Sequence, residues 1–238
     1  MRIYGINATV EALRSGRAVE IHVSDRRRRG LDALLTMASR ARVRVRRVEV
    51  AELDRMARGG VHQGVVATVT RPVDYSIADL VGGPRAPLLV VLDGIEDPQN
   101  LGAVVRAAEA AGVDGIVLQT RRVAARGGAA IKASAGALNH ARLAPVVNVS
   151  RAVEELKAAG VWTVGLDAGA GRSLYDLNLT VPTALVIGAE GRGLRRLVRE
   201  RCNWLAALPM HGQVASLNVA VTAGIALFEA VRQRMLDG

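Results

Sequence analysis

Five short apolar runs fix what the last two-thirds of this 238-residue chain can fold into: Leu88–Asp93, Gly115–Leu118, Val161–Leu166, Ala184–Ile187 and Trp204–Leu208. Each is nearly continuous in hydrophobicity rather than alternating, as a strand must be when helices cover both of its faces. Helical patterns separate most of the runs. The expected fold class is therefore α/β, with a parallel sheet layered between helices over residues 88–238.

The first seventy residues read differently, as short alternating elements. Asn7 is placed to cap a helix running to about Ser15, with Val10, Ala12 and Leu13 on its apolar side. Val19–Val23 alternates as a strand, and Gly30–Arg40 is helical with Leu31, Leu34, Leu35 and Ala38 on one stripe. Val43-Arg44-Val45-Arg46 alternates again, predicting valines inward and arginines outward. A helix over 50–57 and a strand over 64–69 complete a small α/β domain, expected at 1–71. Pro72, Gly82, Gly83, Pro84 and Pro87 give residues 72–87 the breaker density of a linker, with a brief helical patch at Ile77–Val81. The larger domain then spans 88–238.

Charge separates the two parts more sharply than pattern does. Residues 1–72 hold 15 arginines against 7 acidic residues, whereas residues 73–238 hold 17 basic and 15 acidic. Nearly all of the formal +10 thus sits in the first third, which points to an anionic partner, nucleic acid first. Thirty of the 32 basic residues are Arg, but a general arginine bias would spread evenly. The clusters Arg26–Arg29 and Arg42, Arg44, Arg46 and Arg47 are the candidate phosphate contacts. His62-Gln63-Gly64 reads as a polar turn before the last strand.

Other chemistries find little support. Cys202 is the only cysteine, so no internal disulfide forms. His22, His62, His140 and His211 lack metal-ligand spacing, and no metal is expected. Met1–Gly5 carries no apolar signal core, and the apolar stretch Val214–Val231 is broken by Ser216, Asn218, Thr222 and Glu229. The expectation is a cytoplasmic protein that does not enter membranes.

Three polar, glycine-bearing segments follow apolar strands, where ligands bind in open α/β sheets. Asp97-Pro98-Gln99-Asn100-Leu101-Gly102 opens a helix that continues to Arg106. Gly188-Ala189-Glu190-Gly191-Arg192-Gly193-Leu194 is no dinucleotide fingerprint, because Glu190 stands where the second glycine would be and would repel a pyrophosphate. Pro209–Ala220 places Ser216 and Asn218 at the mouth of the last helix. Converging at one sheet edge, they would form a metal-free, transferase-like site.

These segments resemble the three signature motifs of the SpoU/TrmH family of RNA ribose 2'-O-methyltransferases, in the SPOUT superfamily. Asp97-Pro98-x-Asn100-Leu101-Gly102-Ala103-x-x-Arg106 is similar to the first motif. Gly188-x-Glu190-Gly191-x-Gly193-Leu194 is similar to the second, and Pro209-Met210-x-Gly212-x-Val214-x-Ser216-Leu217-Asn218-Val219 to the third. Tyr4-Gly5-x-Asn7 with Val10–Leu13, and His62–Val65, are similar to the branch that methylates a guanosine in the peptidyl-transferase region of 23S rRNA.

The resemblance implies a trefoil knot in the C-terminal domain, S-adenosylmethionine as cofactor, an RNA-binding N-terminal domain, and a homodimer whose site draws on both subunits. It implies catalytic roles for Asn100, Arg106, Glu190, Ser216 and Asn218, and backbone contacts to the cofactor at Gly188, Leu208 and Leu217. The family assigns Arg106 as general base or its phosphate-coupled partner. An arginine stays protonated in proteins, so orienting an RNA phosphate and stabilising developing alkoxide charge suits it better. Asn139 is a departure, since relatives often carry Glu there; it bears on RNA-side or dimer-side detail. The expected substrate is 23S rRNA, with a tRNA ribose, another rRNA site, or a non-catalytic ribosome-assembly role as alternatives.

Overall fold

In the computed structural model the first part of the chain runs β1 (Arg2–Tyr4), α1 (Ile6–Arg14), β2 (Ala18–Ser24), α2 (Leu31–Arg40), β3 (Arg44–Val48), α3 (Val50–Ala57) and β4 (Val65–Val69). The structure describes residues 1–25, 30–70, 73–120, 134, 137–214 and 216–237. Packing divides the chain into two units, Met1–Pro72 and Val73–Gly238. The arginine loop 26–29 lies outside the described residues, as do Ala215 and the side chain of Asn139.

The first unit is built on a sheet of order β1-β4-β2-β3, antiparallel except for the β2–β3 pair. Ile21, Val65, Val66 and Ala67 are fully buried in its two inner strands, and Leu34 and Leu53 cover them from the helices. Two details differ from the sequence reading. Asn7 does not cap α1, because the helix begins two residues earlier, at Ile6, and Gly5 occupies the cap position without a side chain. The missing cap comes from far along the chain: Gln63 Oε1 accepts the Ile6 N–H at 3.1 Å. His62 holds that turn, bonding Asp54 at 2.9 Å through Nε2 and accepting the Gly64 N–H at 3.1 Å through Nδ1. The polar turn is therefore a long-range helix cap, which no local pattern could reveal.

The second difference concerns β3, where alternation predicts valines inward. Val45 is over a third exposed, and among the described residues Val48 is the one of this strand that is half-buried against an apolar cluster. The reason is position, since β3 is an edge strand and little covers it. Its arginines lie beside Glu20 of β2, which takes Arg46 Nε at 2.8 Å and Arg44 Nε at 3.6 Å.

The second unit continues with α4 (Ile77–Val81), β5 (Leu88–Asp93), α5 (Pro98–Ala110), β6 (Gly115–Gln119), β7 (Leu143–Val146), α6 (Val149–Ala158), β8 (Trp162–Leu166), β9 (Thr183–Gly188), α7 (Arg196–Arg201), β10 (Trp204–Ala206) and α8 (Val219–Asp237). Its strands form one parallel sheet in the order β10-β8-β9-β5-β6-β7. Leu88, Val90 and Leu92 of β5 face Leu101, Val104 and Val105 of α5 and Ala223, Ala226 and Leu227 of α8. Leu89 and Val91 face Val153 and Leu156 of α6, Val198 of α7, and Ile77 and Leu80 of α4. Helices seal both faces, which is why β5 reads as an unbroken apolar run.

Of residues 72–87, expected as a linker, the described 73–87 pack onto the edge of this sheet. Asp74 bridges Leu143 of β7, and α4 carries a reciprocal capping box between Ser76 and Asp79. The Ser76 hydroxyl and N–H both donate to Asp79, holding its carboxyl below the ordinary value. β7 is hidden from a reading of the sequence because it is short and contains Pro145, which is tolerated on an edge strand. Trp204 and Leu205 in β10 are less buried than their apolar run suggests, for the same edge-strand reason.

Candidate active site

β5 and β9 are neighbours, and their last paired residues are Asp93 and Gly188. From β5 the chain steps to β6 and β7 on one side, then crosses to place β8 beyond β9. Such a reversal leaves a crevice at the carboxyl ends of the strands. Two of the sequence motifs leave the sheet beside it, after β5 and β9, and the third returns to it from the edge strand β10.

The first loop turns at Gly94 and reaches Asp97, whose carboxylate caps α5 by accepting the N–H groups of Gln99 at 3.1 Å and Asn100 at 3.2 Å. Pro98 sits where the helix needs no donor. The second loop folds back on β9: Ala189 and Gly193 exchange backbone bonds of 3.1 and 2.8 Å, and Glu190 projects from the exposed bend. A Cβ on Gly188 would lie 2.1 Å from the Gly193 carbonyl carbon, so only glycine permits this return. In the third segment, Asn218 Oδ1 accepts the Ala220 N–H at 2.9 Å and opens α8.

One hydrogen-bonded relay joins all three. Asn218 Nδ2 donates to Asn100 Oδ1 at 3.0 Å, and Asn100 Nδ2 donates to Glu190 Oε2 at 2.8 Å. Only one orientation of the Asn100 amide satisfies both bonds, and the relay ends on a carboxylate, where a charge-assisted bond is strongest. The residues are 90 and 118 positions apart in sequence.

Beneath the relay lies a pair that the sequence reading does not include. Asp93 is 1% exposed, and it accepts both the backbone N–H of Arg195 at 2.8 Å and its Nε–H at 2.6 Å, with the second guanidinium nitrogen in close ion contact. Arg195 follows directly after the Glu190 loop, so this pair ties the base of one loop to the base of the other. The available signal was a carboxylate ending an otherwise apolar strand.

The remaining candidates stand apart from the relay. Arg106 is exposed on α5, about 9 Å along the helix from Asn100 and about 120° around it. Its guanidinium makes no hydrogen bond or ion pair among the described residues. Ser216 is exposed and outside the relay, although two residues from Asn218. Gly188 is buried, Leu217 is half-buried, and Leu208 packs against the core on the α5–α8 side. A Cβ built on Gly191, Gly193 or Gly212 meets nothing within 4 Å, so these loops present bare backbone to open space.

Burial pushes the Cys202 thiol up to about 12, with the Lys157 ammonium only partly opposing it, so no thiolate nucleophile forms near neutral pH. Among the described residues no group of three or more His, Cys, Asp or Glu could hold a metal ion, and no helix is long and apolar enough to cross a membrane.

Comparison with known proteins gives this geometry a lineage. Residues 87–228 match the SpoU rRNA Methylase family, and residues 2–74 match the RNA 2'-O ribose methyltransferase substrate binding family. The chain is 40% identical over 238 residues to the 23S rRNA (guanosine-2'-O-)-methyltransferase RlmB of Photorhabdus laumondii, covering 98% of both chains. It is 42% identical to the protein of the same name from Xylella fastidiosa, covering 98% of this chain and 97% of that one. Among solved structures, the SpoU methyltransferase AviRb from Streptomyces viridochromogenes in complex with AdoMet (S-adenosylmethionine) superposes with a TM-score of 0.80 at 26% identity. That match covers 99% of this chain and 91% of that one.

Proposed function

The chain belongs to the SpoU rRNA methylase family, and from that premise we propose that it transfers the methyl group of S-adenosylmethionine to the 2'-hydroxyl of a guanosine ribose in 23S rRNA. The observation that carries this reading is the relay Asn218–Asn100–Glu190, which gathers side chains from three distant loops at the crevice. Polar side chains at exposed loop tips rarely bond one another over such sequence separations unless a site is being organised.

The residues present fit the cofactor. Loops rich in exposed glycine backbone, with the Glu190 carboxylate at the bend, suit a nucleoside bearing a sulfonium better than a pyrophosphate. Gly188, Leu208 and Leu217 would hold it through their backbones. When bound, the cofactor supplies an already electrophilic methyl group. The protein must then align a ribose oxygen and stabilise the charge that develops on it. Glu190, fixed by Asn100, would receive polar hydrogens of cofactor or ribose. Ser216, in the exposed segment before α8, would bond the ribose edge. Arg106 carries an unspent positive charge and would hold a phosphate next to the target ribose.

A homodimer belongs to the same reading. Val221, Ile225 and Phe228 form an exposed apolar stripe at helical spacing along α8, a face that a second copy would cover. Arg106 lies away from the relay of its own protomer, and the pairing would let it serve the partner's ribose site. The trefoil knot, the cytoplasmic location and an RNA-holding role for residues 1–71 complete the proposal. The exposed Arg42, Arg44, Arg46 and Arg47 support that last role.

The test is mass-spectrometric mapping of ribose methylation in rRNA and tRNA from cells with and without the gene. Loss of a single guanosine 2'-O-methyl mark in 23S rRNA is the expected result. Loss of a tRNA mark instead would move the substrate, and an unchanged pattern in both would end the reading.

A further inference from the structure

Six aromatic residues serve the whole chain, and its only two tryptophans lie against each other on the surface. Trp162 opens β8 and Trp204 opens β10, at the free edge of the catalytic sheet. Their rings stack at 6.3 Å between centroids with 16° between planes, and they remain 45% and 38% exposed. The Arg172 guanidinium lies 4.3 Å over the Trp204 ring. Leaving two indoles in water forgoes the largest apolar burial any side chain offers, so their pairing outside the core calls for an occupant.

The platform is rigid. Thr163 and Asn203, the neighbours of the two tryptophans, lock together: Asn203 Oδ1 accepts from the Thr163 N–H at 2.9 Å and its hydroxyl at 2.8 Å, and Thr163 Oγ1 accepts the Asn203 N–H at 3.0 Å. Arg172 is held by its backbone, since its carbonyl accepts the Ala207 N–H at 2.9 Å and the adjacent Ser173 bridges Ala207. That bridge also closes the carboxyl end of the β10 edge, which leaves little room for an added strand. What stays open is a flat π surface beside a cation.

We propose that Trp162, Trp204 and Arg172 form a stacking platform for an unpaired nucleobase of the RNA substrate. Successive bases stack on aromatic faces whatever their sequence, and a guanidinium beside the ring attracts the phosphate that follows. Trp162 is the open end of the stack. It lies four strand residues, about 13 Å, from the carboxyl end of β8 where the motif loops gather, so the base it takes flanks the target nucleotide rather than being it. The inference rests on the proposal that the substrate is RNA, and it adds that part of that RNA must be single-stranded.

Because no other tryptophan exists, the emission of the full-length protein, excited at wavelengths that its tyrosines do not absorb, reports on this patch alone. Titration with an unstructured oligoribonucleotide is expected to quench that emission saturably, and a fully paired duplex of the same length to do so weakly. Trp162→Ala should weaken oligonucleotide binding, followed by anisotropy of a labelled strand, about tenfold or more, with Arg172→Ala weakening it less. Both variants should stay folded at the assay temperature, and their S-adenosylmethionine affinity should match the parent. Unchanged emission while the labelled strand binds, or full affinity in Trp162→Ala, overturns the platform. So does an emission change that follows protein concentration without RNA, which would make the patch a protein–protein contact. Methyl transfer to rRNA, measured in parallel, separates this failure from failure of the assigned activity.

Discussion

The crevice and the arginine-bearing surfaces treat their polar groups in opposite ways. In the crevice each polar side chain of the relay already has a protein partner: Asn218 bonds Asn100, Asn100 bonds Glu190, and Asp93 beneath them is satisfied by Arg195. On the exposed faces the positive charge is only partly neutralised. Arg106 has no ion pair among the described residues, and Arg44 and Arg46 share the one carboxylate of Glu20 with a buried histidine, His22, at 3.6 Å. The first arrangement is a finished scaffold that needs no reorganisation to receive a ligand. The second is incomplete until an anion arrives. In the proposed reading, the first would hold the methyl donor and the second the RNA.

If that division is sound, Arg106→Ala has the largest effect and the most selective one. Loss of a group that holds an RNA phosphate and stabilises the developing alkoxide lowers the rate at saturating RNA by about 10²–10³-fold. The cofactor's dissociation constant should stay within about twofold, because the relay is untouched. Calorimetric cofactor binding beside a single-turnover methyl-transfer assay checks both halves. A variant that loses cofactor affinity in proportion to rate would place Arg106 in the scaffold and erase the comparison.

Asp93→Ala should fail the other way. It leaves the Arg195 guanidinium against a buried hole and unties the two loop bases. Breaking a buried pair typically costs 3–5 kcal/mol, and with Arg195 half-exposed the lower end, about 3 kcal/mol, applies here. Urea unfolding should show that loss, with weakened cofactor binding and no particular loss of RNA affinity. A stability within about 0.5 kcal/mol of the parent would mean the pair contributes nothing net.

How far the sequence revealed this division depends on how local each signal is. The central strands were legible because burial on both faces leaves an unbroken apolar run, as in Leu88–Leu92. Asn100, Glu190 and Asn218 were legible as residues, since short polar side chains beside glycine after such strands are unusual. Their relay was not, because it spans 118 positions. Asp93 was legible only as the end of a strand, its partner lying 102 residues on. Edge strands fared worst. Val45 looks inward by alternation yet lies on an uncovered margin, and β7 hides behind Pro145. The cap of α1 misleads for a related reason: Asn7 is a good local candidate, but Gln63 supplies the acceptor from the other end of the unit.

Asn100→Ala tests the scaffold at its tip and should be milder than Asp93→Ala. It removes two bonds at exposed positions and leaves Glu190 free to reach water, so folding stability should fall by only about 1 kcal/mol. The loss should appear instead in methyl transfer, about tenfold or more, because Glu190 and Asn218 no longer share a fixed geometry. Restoring part of the rate with Asn100→Gln would argue for simple bridging. No recovery would argue that the length of the amide arm sets the spacing of the loops.

The smallest expected effect lies on the edge of the first unit. Replacing Arg44 and Arg46 together by Gln removes two charges from a solvated strand and leaves Glu20 without its guanidinium partners, at little cost in stability because exposed pairs contribute little. If these arginines meet RNA phosphates, affinity falls uniformly across RNA sequences and the slope of log K against log salt shrinks by about one for each phosphate no longer neutralised. Glu20→Gln should do the reverse, freeing both guanidiniums and strengthening RNA binding slightly at low salt. Filter binding over a salt series measures both variants on one plot. Should the slope stay fixed in the double variant, the arginines of β3 are only a solvated face, and the unspent charge of the comparison would shrink to Arg106 alone.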